Sequence, residues 1–191
     1  MIKIKFISRK KLFDGFVGID ELKFKIPEKN KRITRTVVTR PFAVAILLYN
    51  KSSRKIILIK QFRAAVYHND NKGFVLEVPA GVIEECESPL DTVIRETLEE
   101  TGYKIEQPKL ITSFYPTTGF LSEIIHLYFA VVENKDKIGA GGGLDTESEY
   151  LEVVEMPVEQ AFDLLDKGLI EDAKTLISIQ YLRSYLNNMK I

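Results

Sequence analysis

Residues 89–101 interrupt a chain otherwise written in strand-like runs, and that interruption limits the architectures open to it. Leu90, Val93, Ile94, Thr97, Leu98 and Thr101 fall at i, i+3, i+4, i+7, i+8 and i+11, the stripe of a helix resting on an apolar surface. Ser88 suits the N-cap, Pro89 the first helical position, and Gly102 the stop. Around this helix lie runs of another kind. Phe42–Tyr49 and Lys55–Gln61, split by Asn50–Arg54, read as a hairpin of strands buried on both faces. Further strands are expected at Phe74–Val78, Lys109–Tyr115, Ile124–Val132 and Tyr150–Glu155, with closing helices at Val158–Lys167 and about Asp172–Asn188. Mixed strands interleaved with helices predict an α/β sandwich.

The first forty residues differ in kind. Ile2, Ile4 and Phe6 alternate with lysines, Leu22, Phe24 and Ile26 do so again, and Ile33–Thr39 is β-branched. A small antiparallel β annex over residues 1–40 is expected, ahead of a main domain at 41–191. So thin a meander needs something to pack on, either the rest of the chain or a second copy. The chain as a whole is charge-balanced, with 27 basic and 27 acidic residues, but the annex holds twelve basic against four acidic. Lysines on the solvent face of alternating strands account for that surplus. No aromatic–basic or helix-turn-helix pattern accompanies it, so a nucleic-acid partner is not expected.

Other classes fall away on composition. The longest apolar run, Phe42–Tyr49, is far short of the roughly 20 residues of a membrane helix. The N-terminus lacks the apolar block of a secretory signal. One cysteine, Cys86, excludes an internal disulfide, and a cytoplasmic location is the expectation.

The chemistry is concentrated on the polar side of the 89–101 helix. Glu96, Glu99 and Glu100 stand at i, i+3 and i+4, where like charges repel and the helix's negative end disfavours anions. A solvated acidic face is the plain explanation. The chemical one is a hard divalent cation, Mg²⁺ or Mn²⁺, for which an all-carboxylate set without Cys or His is suited.

The stretch from Gly81 to Tyr103 resembles the Nudix box, GX5EX7REUXEEXGU with U a bulky apolar residue. Gly81, Glu87, Arg95, Glu96, Glu99, Glu100 and Gly102 match every fixed position, and Thr97 alone departs, at a bulky aliphatic slot. The resemblance implies an α/β/α Nudix sandwich with a mixed sheet, and Mg²⁺-dependent hydrolysis of a nucleoside diphosphate linked to another moiety. It implies metal ligation by Glu96, Glu99, Glu100 and the Ala80 carbonyl. Arg95 would pair structurally with Glu87, and Gly81 and Gly102 would serve tight turns.

Beyond the box, residues 35–187 resemble the nucleotide-sugar branch that acts on ADP-ribose and GDP-mannose. The carrying segments are Ala45–Asn50, Leu58–Arg63, Leu76–Gly81, Ser113–Glu123 and Gly141–Glu149. Members of that branch are homodimers that share their N-terminal strands. By resemblance Glu147 and Glu149 lie on a loop that closes over the substrate, one the general base and the other a metal or auxiliary carboxylate, with Glu147 assigned as the base and the reverse order left open. Ile138–Gly143 reads as a flexible connector. Arg63 matches a diphosphate-binding arginine, Arg35 a base-contacting one reaching in from the partner, and Glu123 a substrate-loop glutamate. Thr36 stands where an acid usually follows Arg35, and Tyr115–Phe120 lacks a strict Ser-Pro-Gly, which leaves the base open. His126 reads as a sheet histidine. GDP-mannose and ADP-ribose lead as substrates. UDP-glucose and a non-hydrolytic nucleotide sensor are the alternatives, the sensor disfavoured by intact carboxylates.

Overall fold

The structure is a computed structural model and describes residues 2–143 and 150–189. Its chain divides into two units. The first, residues 1–42 and 114–125, contains an antiparallel sheet of β1 (Lys5–Asp14), β2 (Gly18–Ile26) and β3 (Lys31–Thr39). β1 is the outer strand and is exposed throughout, with Phe6, Ile7, Leu12 and Phe13 among its open side chains. Segment 114–125 is stitched to β3: Val38 N–H donates to the Phe120 carbonyl at 2.7 Å and Ser122 N–H to the Val38 carbonyl at 3.0 Å.

The second unit is built on a seven-stranded sheet. Its main path runs β10 (Leu151–Pro157), β5 (Lys55–Phe62), β4 (Ala43–Asn50), β9 (Ile125–Val132) and β8 (Lys109–Phe114). Two short strands branch from it, β6 (Phe74–Glu77) on β5 and β7 (Ala80–Val82) on β4. Every residue of β4 is buried, as its unbroken apolar run requires of a central strand. Its alternate residues Val44, Ile46 and Leu48 join Ile57, Tyr128 and Val132 beneath Val93 of helix α2 (Pro89–Thr101). Successive strand residues point to opposite faces, so Leu47 and Leu58, also fully buried, need cover on the other side. Helices α3 (Val158–Asp166) and α4 (Ala173–Asn188) supply it, burying Ala161, Ile179 and Leu182. This is the expected α/β sandwich: a mixed sheet with flanking helices.

One helix has no counterpart in the sequence reading, α1 (Ala64–Asp70). Seven residues with no apolar stripe give no periodic signal. It is held by Tyr67 and Phe74 against the Phe62 ring, each at 5.8 Å between centroids.

Helix α2 has the expected bounds and caps. Ser88 Oγ accepts from Asp91 N–H at 3.2 Å, and Gly102, at φ 74°, donates its N–H to the Leu98 carbonyl at 2.9 Å. Of the expected stripe, Val93, Thr97 and Thr101 are buried and Ile94 packs on the core, but Leu90 and Leu98 are exposed, and Thr92 and Glu100 complete the buried arc instead. The threonines fit the core because their hydroxyls are satisfied within the helix. Thr97 Oγ1 donates to the Val93 carbonyl at 2.6 Å and Thr101 Oγ1 to the Thr97 carbonyl at 2.5 Å.

Past α2 the chain is tied down by a polar cluster around buried Asn50. Asn50 donates to Tyr103 Oη at 3.2 Å and Asn134 Oδ1 at 2.9 Å, and accepts from Ser52 and Ser53 N–H. Tyr103 in turn donates to Glu155, which also takes Lys137. Truncation removes four hydrogen bonds made by one buried amide, each worth about 0.5–1.5 kcal/mol net. Asn50→Ala is expected to cost about 2–4 kcal/mol in urea denaturation. Tyr103→Phe, which removes one hydroxyl, is expected to cost about 1 kcal/mol.

Candidate active site

Arg95 gathers the acids that the helix spacing sets against one another. Its Nε and Nη2 each donate at 3.0 Å to the two carboxylate oxygens of Glu87, while Nη1 reaches Glu96 Oε1 and Glu99 Oε2, both at 3.0 Å. One planar guanidinium thus spans three carboxylates, a geometry that a lysine could not reproduce. The hydrogen bonds from Arg95, joined by one from Thr92 Oγ1, hold the Glu87 carboxyl well below its ordinary 4.5, at about 2. The same bonds to Glu87, with the charge of Glu96 and the bond to Glu99, raise Arg95 and keep it protonated.

Glu100 points the other way, into the protein, and is only 1% exposed. Its Oε2 accepts the Ala80 N–H at 2.9 Å, which fixes β7 against the helix. Gly81 follows directly. A Cβ there would overlap the Glu96 carboxyl group, which would have to swing away from its place on Arg95. Gly102 serves a turn, at positive φ, and a Cβ on it would strike the Gly139 carbonyl.

The oxygen-only donors Glu96, Glu99, Glu100 and the Ala80 carbonyl have the chemistry a hard divalent cation needs. In the conformation described, Arg95 supplies the charge compensation between Glu96 and Glu99. Among the described residues no three acids, histidines or cysteines are grouped at metal-holding distance. Glu147 and Glu149 lie outside the described residues.

Arg63, at the end of β5, is bound through Nε and Nη2 to both oxygens of Glu77, at 2.7 and 2.9 Å. Glu77 also takes Lys174 of α4, and Lys174 takes Asp172 at 2.9 Å. Burial opposes the charge on Glu77, but Arg63 and Lys174 outweigh it and hold the carboxyl below its ordinary range. Burial likewise opposes Arg63, and the bonds and charge of Glu77, with Glu100 and Asp172 adding, keep it above its own. Neither Glu77 nor Lys174 stands out in the sequence reading. A charged residue closing the apolar run Phe74–Val78 is a signal for Glu77; Lys174, one surface-type residue after a helix cap, offers none.

The connector at 138–143 is not loose. Ile138 and Gly139 N–H both donate to the Gly102 carbonyl, at 2.8 and 3.1 Å. Gly142 N–H donates to the Glu100 carbonyl at 2.9 Å and Gly143 N–H to the Glu99 carbonyl at 3.2 Å. The segment therefore caps α2, satisfying carbonyls that a helix end leaves without partners.

The remaining expected residues lie in the first unit. Arg35, on β3, is exposed and donates to the Thr34 carbonyl at 2.9 Å. Glu123 is buried and paired with Arg40 at 3.1 Å, and the Arg40 guanidinium lies 5.6 Å over the Phe16 ring. His126 meets Ser113 Oγ at 2.7 Å within the second unit, as a sheet histidine should.

Comparison with known proteins identifies the family. The NUDIX domain family matches residues 39–178. A GDP-mannose pyrophosphatase of Citrobacter koseri is 34% identical over 186 residues, covering 95% of this chain and 96% of its own. Its counterpart in Cronobacter sakazakii is 31% identical with the same coverage. A solved structure described as an ADP compounds hydrolase superposes with a TM-score of 0.77 over 98% of this chain and 96% of its own; at 17% identity it speaks for the fold alone.

The Glu87–Arg95 pair has a pH signature. The Glu87 carboxyl is depressed in the folded state, so its stabilisation is complete above about pH 4.5 and is lost as pH falls towards about 2. Glu87→Gln is expected to cost about 1 kcal/mol near pH 7. The gap to the wild type, followed by urea denaturation, should shrink below about pH 4.5. A gap that widens on acidification contradicts the assignment.

Proposed function

The chain belongs to the Nudix family, as a pyrophosphohydrolase, and we propose that its substrate is a nucleoside diphosphate sugar. Water would split the diphosphate, leaving a nucleoside monophosphate and a sugar phosphate. GDP-mannose is the first candidate, ADP-ribose the second and UDP-glucose a third. The observation that carries this reading is the set of acids on one helix: Glu96 and Glu99 held together by Arg95, and Glu100 beside them on α2, fixed by the Ala80 N–H. Likeness over almost the whole length to proteins named GDP-mannose pyrophosphatase supports the substrate class.

Nudix hydrolases generally use divalent metal ions. Here Glu96, Glu99, Glu100, Glu149 and the Ala80 carbonyl would hold Mg²⁺, with Mn²⁺ a possible substitute. When bound, such an ion neutralises charge on the diphosphate oxygens and makes bound water more acidic. The chain's own groups do the rest. Arg63, stiffened by Glu77, binds the diphosphate as a guanidinium suits two anionic oxygens. Glu147 takes the proton from the attacking water. Arg35, reaching in from the partner copy, contacts the base, and Glu123 serves as the substrate-loop glutamate. Buried Glu100 stays fixed through the Ala80 N–H, so its carboxylate is oriented before substrate arrives.

The functional unit we propose is a homodimer in the cytoplasm, with β1 as part of the joint. Its open Phe6, Ile7, Leu12 and Phe13 support this, since a thin three-stranded sheet gains most of its cover from a second surface. Among the described residues no helix is long and apolar enough to cross a membrane.

Incubation with Mg²⁺ and a panel of GDP-mannose, ADP-ribose, UDP-glucose and NADH should release a monophosphate from one dominant substrate. Glu100→Gln should lower turnover by about 10²–10³-fold at an unchanged melting temperature. Near-normal turnover by the folded variant sinks the ligand assignment, and tight binding without turnover by the wild type replaces the enzyme reading with the sensor. Light scattering should give twice the 21.8 kDa chain mass, and a clean monomer removes the shared-strand joint.

A further inference from the structure

Gln61 is the residue of the QFR run that the chemistry so far leaves unused. It is 8% exposed, and its side-chain oxygen is buried with no hydrogen-bond partner in the structure described. A buried amide oxygen left in this state is destabilising, and such groups in native proteins ordinarily find protein, water or ligand donors.

Its place in the sheet says which donor. Gln61 lies opposite Val75 of β6 and Leu151 of β10. Side chains alternate along a strand, so Gln61 shares a face with Ile59 and Ile57, and Ile57 packs with Val93 of α2. Gln61 is therefore on the side of the sheet that carries the catalytic helix. Two residues on, Arg63 is bound to Glu77, and three residues past Glu77 the Ala80 N–H sits on Glu100, so one short stretch of chain links this end of β5 to Glu100. An amide oxygen is an acceptor only. It repels phosphate oxygens, which Arg63 already serves, and calls for an O–H. In a nucleoside diphosphate sugar the O–H groups nearest the diphosphate belong to the ribose and the glycosyl ring.

We propose that Gln61 is a specificity-determining residue whose side-chain oxygen accepts a hydrogen bond from a hydroxyl flanking the substrate diphosphate. This rests on the nucleotide-sugar reading above. The bond forms only with substrate bound, so the free protein carries an unsatisfied acceptor and the complex does not.

The test compares wild type with Gln61→Met, which keeps length and removes the acceptor, on GDP-mannose and on analogues lacking single hydroxyls of the ribose or the mannose. Gln61→Met should lower kcat/KM on the full substrate about tenfold. One deoxy analogue should lose about tenfold on the wild type and nothing further on the variant, and that analogue identifies the hydroxyl. Deoxy penalties that stay undiminished in the variant for every analogue, or wild-type kcat/KM in Gln61→Met, overturn the proposal. Melting temperature, which needs no substrate, should be unchanged or raised in Gln61→Met; a clear fall assigns the oxygen a structural bond and also overturns it. If Gln61→Met does not fold, Gln61→Leu carries the same expectations. A wild type that turns over no nucleotide sugar, with the thermal result as expected, locates the failure in the substrate reading rather than in the unsatisfied oxygen.

Discussion

Everything at this site depends on one guanidinium. The three glutamates of α2 stand at spacings where like charges repel, in the half of the helix whose dipole already disfavours them. Arg95 makes the arrangement tolerable by touching Glu87, Glu96 and Glu99 at once, at 3.0 Å each. It also ties the loop before the helix to the helix itself, because Glu87 lies ahead of the N-cap and Arg95 two turns inside. The stabilising contact and the preparation of a cation site are thus the same contact. Were Glu96 and Glu99 to hold a cation, as proposed above, it would share the charge balance that Arg95 maintains here.

The second constraint is backbone proximity. Ala80–Gly81 lies on one side of the helix's second half, with the Ala80 N–H on Glu100 and no room for a Cβ at Gly81. At the helix end, the N–H groups of Gly142 and Gly143 sit on the carbonyls of Glu100 and Glu99. Main chain from two distant stretches therefore grips the residues that carry the carboxylates, one through a side chain and the other through peptide carbonyls. Precision at Glu99 and Glu100 is in this way inherited from the sheet rather than from the helix alone.

Much of this was readable in the sequence, and the reasons are specific. The bounds of α2 followed from Ser88, Pro89 and Gly102, each with a local mechanism, and the two-sided burial of β4 followed from an apolar run without alternation. Val93, Thr97 and Thr101 were legible as the buried stripe, but the exposure of Leu90 and Leu98 and the burial of Thr92 and Glu100 were not, because the buried arc is rotated towards the side that carries Glu100. Glu77, Lys174 and Gln61 were missed for a common cause. Each is a single polar residue whose meaning comes from a partner, or from the lack of one, at the far side of the sheet. The helix stop at Gly102 was legible; that 138–143 returns to cap it was not, since no local signal reports a contact across forty residues.

The outer strand of the first unit has a consequence for the chain's life before it is fully assembled. A ten-residue edge with Phe6, Ile7, Leu12 and Phe13 in the open offers unpaired N–H and carbonyl groups on which other copies could stack into aggregates. On the same strand Arg9 is paired with Asp20 and Lys11 with Asp14, while Lys5 and Lys10 stand exposed as further cations. Stacking copies in register would line these cations up against one another, so the strand carries its own deterrent to runaway polymerisation. The surplus of basic residues in the first forty is, on this view, a matter of colloidal behaviour, set where a bare sheet edge most needs a repulsive charge.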